Sequence, residues 1–189
     1  MTELDLPDVH ASALAATRLV TEGLGDSDWT IPTPCGDWDL RALANHLVAG
    51  NWWAAELAAG QTIADVGDRL DGDVLGSDAL EAYDSSAKAA AAAFEVEGAM
   101  DAPCAVSYGP VPGSVYCGHR ILDVVVHGWD LARATGQPTY IEPDLVDACL
   151  EILRPQYDML LGSGMFGSPS TPREGATPQV ELLAMLGRG

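Results

Sequence analysis

The segment Ile121-Leu-Asp-Val-Val-Val-His-Gly-Trp-Asp-Leu-Ala132 constrains the fold more than any other part of the chain. Its apolar residues, Ile121, Leu122, Val124, Val125, Val126, Trp129 and Leu131, fall on most sides of a helix. At ~100° per residue, His119, Asp123, His127 and Asp130 share an arc of only about 80°. A surface helix carries a wider polar face than that. This helix is therefore expected inside a bundle, with its polar strip against a sliver of solvent or a lined cavity. A carboxylate buried there without a partner costs several kcal/mol. A metal ion is one such partner.

Asp123 and His127 are four residues apart, so they lie one turn apart on one helix face. A carboxylate and an imidazole placed that way can close on one cation. His46, on an earlier helix, can supply a third ligand. Three protein ligands leave one position open, which separates catalytic metal sites from closed structural ones. Spacing alone also allows a hydrogen-bonded i,i+4 pair or a satisfied core histidine. His119 pairs with Asp123 at the same spacing, and it lies ~12 Å along the axis from His127, too far to share one metal. His10 has no partner at useful spacing and is expected at the surface. Trp29, Trp38, Trp52, Trp53 and Trp129 are expected to serve packing rather than a ligand cage. Cys35 precedes a helix N-terminus, which can activate a thiol, but a packed, inert thiol is the expectation.

The 189 residues suffice for one domain with a real core, and a single domain over 1–189 is expected. A net charge of −19, from 28 acidic and 9 basic residues, argues against nucleic acid and anionic membranes as partners. No apolar run is long enough to span a bilayer, and the N-terminus lacks a basic signal-peptide region. Cys35, Cys104, Cys117 and Cys149 show no CxxC spacing and read as isolated thiols of a reducing compartment. A cytoplasmic location is expected. The apolar excess allows a homodimer through helix faces.

Helical patterns run along the chain. The first spans about Asp8 to Glu22, with Ala11, Leu14, Ala15, Leu19 and Val20 as its apolar positions. The second starts near Asp37, a good N-cap, and reaches about Ala59. Its seam is Leu40, Leu43, Leu47, Gly50, Ala54 and Leu57. Residues 60–77 read as a crossover loop. The third helix, Asp78 to about Glu97, opens on an Asp78-x-x-Glu81 capping-box pattern. Residues 100–113 read as an irregular or short β-like loop over the bundle. The fourth helix is Ser114–Thr135, closed by Gly136. A fifth runs from Pro143 to Leu153. A loop over 162–177 leads to a short helix over 178–186. There are no repeats, no Gly-rich phosphate loop and no Gly-x-Ser-x-Gly elbow.

Two stretches resemble a known family. Thr33-Pro-Cys-Gly-Asp-Trp-Asp-Leu-Arg-Ala-Leu-Ala-Asn-His-Leu47 is similar to the N-terminal signature of the mycothiol-dependent maleylpyruvate isomerase family, within the DinB/YfiT-like superfamily. Asp123-Val-Val-Val-His-Gly-Trp-Asp-Leu-Ala-Arg-Ala-Thr-Gly136 resembles its second signature, and the residues 178–188 resemble endings of one branch. The resemblance implies an all-α, DinB-like four-helix bundle with a long crossover between its second and third core helices, plus extra C-terminal helices. It implies a metal held by His46, Asp123 and His127. Asp123 stands where the isomerase carries Glu and other members carry His. Zinc suits a His/His/carboxylate set best, with nickel second.

The resulting expectation is a metal-dependent transferase or isomerase acting on an electrophilic small molecule, with mycothiol or a similar low-molecular-weight thiol as cosubstrate. Asp130 is the candidate orienting group or general base. The family's isomerase draws on a further C-terminal domain, so a reaction other than maleylpyruvate isomerisation is expected here. Metal-assisted hydrolysis is one alternative. A non-catalytic small-molecule-binding or stress-response bundle is the other.

Overall fold

The computed structural model describes residues 4–25, 27–36, 38–159, 168–172 and 174–188. Four long helices make the bundle: α1 (Leu6–Glu22), α2 (Leu40–Ala58), α4 (Ala79–Phe94) and α5 (Gly113–Thr135). Helix α1 packs on α5 and α4, and α2 packs on α4 and α5, which closes the ring. The crossover between α2 and α4 holds one short helix, α3 (Ile63–Val66). Residues 100–113 take the short β-like form of the two expected. They form an antiparallel hairpin of β1 (Pro103–Val106) and β2 (Gly109–Pro112), in register from Pro103 opposite Pro112 to Val106 opposite Gly109. Helix α6 (Pro143–Leu153) packs on α5, and α7 (Pro178–Met185) packs on α6. This is the DinB-like four-helix bundle with a long crossover and added C-terminal helices.

Capping sets the helix ends. Asp39 caps α2 by accepting from the Ala42 amide at 2.8 Å. The expected cap, Asp37, lies outside the described residues, and the cap falls two residues later than the pattern suggested. Asp78 caps α4 through the Glu81 amide at 3.0 Å, as expected. The Glu81 carboxylate accepts from the Ser85 hydroxyl at 3.2 Å. Gly136 closes α5 in the left-handed conformation, with φ of 70°. The expected loop over 162–177 lies partly outside the described residues.

The core takes Leu43 and Leu47 from α2, Tyr83 and Phe94 from α4, and Ile121, Leu122, Val124 and Val126 from α5. Helix α5 is the central element, buried on nearly all sides. Helix α1 departs from its expected stripe. Leu19 is 67% exposed, while His10, Ala13, Leu14, Thr17 and Thr21 face inward. Threonine can hide its hydroxyl by local bonding. Thr17 donates to the Val124 carbonyl at 3.0 Å, and Thr21 to the Thr17 carbonyl at 3.0 Å. A hydrophobicity count cannot foresee that.

His10 corrects another expectation. It is fully buried rather than at the surface, edge-on to Phe94 at 5.1 Å between ring centroids. Burial, helped by the nearby Arg120 charge, pushes its pKa down to about 3. The imidazole is therefore neutral.

Candidate metal centre

The first of the two signature stretches shapes the rim of the site. The Thr33 hydroxyl donates to the Trp38 carbonyl at 2.8 Å and accepts from the Cys35 amide at 3.1 Å. That turn sets the Trp38 ring 4.6 Å from the His46 ring and 6.0 Å from the His127 ring. Trp38 thus flanks both imidazoles rather than filling the core. Asn45, next to His46, clamps the crossover: its Oδ1 accepts from the Val74 and Leu75 amides at 2.8 and 2.9 Å.

On the facing helix, the polar strip of α5 does point into a lined space. Asp123 Oδ1 lies 3.2 Å from His46 Nε2 and 3.4 Å from His127 Nε2. His46, Asp123 and His127 each offer one ligand atom, all within 4.8 Å of one another. Zinc bound at ~2.0–2.1 Å by tetrahedral ligands separates neighbouring donors by about 3.3–3.4 Å. The separations of Asp123 Oδ1 from the two imidazole nitrogens, 3.2 and 3.4 Å, lie close to that edge.

Asp123 and His127 are oriented from behind. Arg120 Nη1 donates to Asp123 Oδ2 at 2.7 Å, so Oδ1 alone faces the imidazoles. The Arg120 guanidinium is only 8% exposed, and Gly50 makes room for it: a Cβ there would lie 2.5 Å from Nη1. His127 Nδ1 donates to Asp130 Oδ2 at 3.0 Å. A carboxylate only accepts, so in a neutral ring the proton sits on Nδ1 and the lone pair on Nε2, the atom that faces Asp123. Asp130 is fully buried and is held by Arg188, whose Nη2 and Nε donate to it at 2.7 and 3.2 Å.

The charges are strongly coupled. Burial pushes the Asp123 carboxyl up, but the Arg120, His127 and His46 charges outweigh it and hold it well below the usual carboxylate range. Burial disfavours the His127 imidazolium, yet Asp123 and Asp130 prevail and hold its pKa well above the ordinary value. Asp130 follows the same pattern: hydrogen bonds from His127 and Arg188 overcome burial and lower it.

The structure brings His46, Asp123, His127 and Asp130 together. It does not bring His119 to Asp123. His119 is engaged by Tyr108 and Gln156. Cys35, expected as a packed thiol, lies at the site instead. It is part-exposed, accepts from Arg188 Nη2 at 3.6 Å, and lies within 4.8 Å of donor atoms on His127 and Asp130. Sequence reasoning passed over Arg120 and Arg188. The signal for Arg120 was present, since it falls three residues before Asp123 on a helix with almost no exposed side. Arg188 lies 58 residues from Asp130 in sequence and carries no local signal.

A cavity of about 430 Å³ opens beside the cluster, lined by His46, Arg120, Asp123, Trp53, Tyr108 and His119 among others.

The family model for the mycothiol maleylpyruvate isomerase N-terminal domain matches residues 10–132. The chain belongs to this family. The matched span takes in the first signature, the second as far as residue 132, and all three candidate ligands. Two relatives from Mycobacterium tuberculosis, the uncharacterized proteins MT0763 of strain CDC 1551 / Oshkosh and Rv0738 of strain ATCC 25618 / H37Rv, are each 35% identical over 185 residues. Those alignments cover 96% of this chain and 92% of each relative. No solved structure matches the chain significantly. Among the described residues, no helix is long and apolar enough to cross a membrane.

Proposed function

We propose that this member of the mycothiol maleylpyruvate isomerase N-terminal domain family binds one divalent metal, zinc by preference, and uses it to activate a low-molecular-weight thiol against an electrophilic small molecule. The observation that carries the reading is the donor set: two imidazole nitrogens at tetrahedral-edge distance from one carboxylate oxygen whose twin is tied to Arg120. A bound zinc ion would lower the pKa of a thiol in its open position and hold it as thiolate.

The chain's own residues have separable tasks in this scheme. His46, Asp123 and His127 hold the ion. Asp130 fixes the tautomer and ring angle of His127, and Arg188 fixes Asp130. With both oxygens of Asp130 occupied and no exposure, the orienting role suits it better than that of a general base. Trp38 covers the two imidazoles and limits water on that side. The adjacent cavity, with its aromatic and aliphatic wall, receives the thiol and the electrophile.

One observation favours a second reading. Arg120, His46 and His127 already satisfy Asp123 without a metal, as a non-catalytic small-molecule-binding bundle would require. Cobalt substitution separates the two. The proposal expects the cobalt-loaded protein to gain sulfur-to-cobalt charge-transfer absorption when 2-mercaptoethanol is added. A cobalt spectrum that ignores the thiol contradicts thiol activation.

A further inference from the structure

Tyr108 and His119 line the cavity, with Gln156 hydrogen-bonded to His119 behind them, and nothing in the ligand scheme uses this cluster. The Gln156 amide is fixed by its Nε2, which donates to the Ile152 carbonyl at 2.9 Å. Its Oε1 therefore faces His119 Nε2, at 2.7 Å. An amide oxygen only accepts, so His119 Nε2 carries a proton. In the neutral ring Nδ1 is then a lone-pair acceptor, and the Tyr108 hydroxyl donates to it at 2.6 Å. His119 can take a second proton at Nδ1 with no rearrangement, because its Nε2–H bond to Gln156 serves the imidazole and the imidazolium alike.

The placement gives this pair a use. His119 is 5% exposed and Tyr108 52% exposed, so the tyrosine is the outer member. Tyr108 sits on the turn between β1 and β2, and both side chains line the same cavity as His46, Arg120 and Asp123. Burial pushes the Tyr108 phenol up, so at neutral pH it is a hydroxyl that both accepts and donates.

We propose that Tyr108 and His119 form a proton relay that takes the proton of a thiol entering the cavity and later returns it to the adduct. The proposal rests on the thiol reading above. The S–H bond breaks, and its electron pair stays on sulfur as thiolate. The released proton goes to Tyr108 Oη while the tyrosine's own proton moves to His119 Nδ1, giving the imidazolium. When the thiolate adds to an electrophilic double bond, the S–C bond forms and the π pair shifts to the far end. The relay then runs backwards: His119 returns its proton to Tyr108 Oη, and Tyr108 protonates the new anionic centre. No external oxidant or reductant enters. Tyr108 is the catalytic residue, and His119 acts through it as a positioning residue.

Proton counting tests this. Calorimetric titration of the zinc-loaded chain with 2-mercaptoethanol, in two buffers of different ionisation enthalpy, gives the protons released per thiol bound. The relay predicts near-zero release for the unaltered chain and about one proton for Tyr108→Phe and for His119→Leu, with zinc affinity preserved, since thiolate binding otherwise frees a proton to solvent. Nitrogen-15 NMR should show His119 becoming an imidazolium on thiol binding in the unaltered chain alone. Tyr108 is half exposed on a turn, so loss of its hydroxyl leaves the fold intact. Equal proton release in all three proteins, with thiol bound, overturns the relay alone. No thiol binding to the zinc-loaded chain overturns the thiol reading and the relay with it.

Discussion

Arg120 donates to Oδ2 of Asp123 at 2.7 Å and leaves Oδ1 as the one carboxylate oxygen that His46 and His127 share. Asp is one methylene shorter than Glu, so it reaches less far from its helix. The arginine holds the short carboxylate in the single rotation that presents an oxygen to both imidazoles. Its charge also keeps Asp123 ionised despite burial.

Removing that arginine should destabilise the metal-free protein strongly. Arg120→Met leaves the mostly buried Asp123 charge without its guanidinium, and breaking a buried pair from one side costs about 3–5 kcal/mol. Zinc should restore part of the loss, since a ligand at 100 times its Kd adds ~2.7 kcal/mol to the folded state. Thermal unfolding with and without zinc checks both. A smaller rise in Tm at fixed zinc concentration for Arg120→Met than for the unaltered chain is the expected result, since Asp123 loses the contact that presents Oδ1 to the ion.

Gly50→Ala should act through the same arginine. The added Cβ falls 2.5 Å from Arg120 Nη1, so the guanidinium has to move. Overpacking of this kind costs about 1–3 kcal/mol. Urea denaturation should show a lower midpoint with an unchanged slope.

Behind His127, the line from Arg188 through Asp130 should tune metal affinity from outside the ligand set. Loss of such an outer partner typically weakens metal binding about 10–100-fold. Arg188→Met and Asp130→Asn are each expected in that range by chelator competition. Undiminished affinity in both would remove the orienting role.

Stability should fall on the acid side because of His10. Its folded pKa of about 3 lies below the ordinary unfolded value near 6.5. The unfolded chain therefore takes up the proton first as pH drops. The contribution is complete above 6.5 and is lost progressively towards 3. His10→Leu should flatten that limb of the stability–pH curve in metal-free protein, measured by urea unfolding at several pH values.

The sequence carried the bundle, the crossover and most helix limits because those follow from period, caps and Gly136. It also carried the polar strip of α5, since a helix apolar on so many sides has to aim its few charges at something. It misplaced His10, because an imidazole buried neutral against Phe94 leaves no pattern in neighbouring residues. It missed the clamp from Arg188 and the turn that brings Cys35 and Trp38 to the site, because those contacts join segments far apart in sequence. The three candidate ligands were legible as a spacing. The groups that orient them were not.

The central claim is that His46, Asp123 and His127 hold one metal ion. Zinc titration of the purified metal-free chain, read by elemental analysis after removal of free ion, tests it most directly. The account predicts about one zinc per chain and its loss in His127→Ala and Asp123→Ala proteins that still fold. An unaltered chain that retains no stoichiometric zinc, or variants that retain it fully, would contradict it.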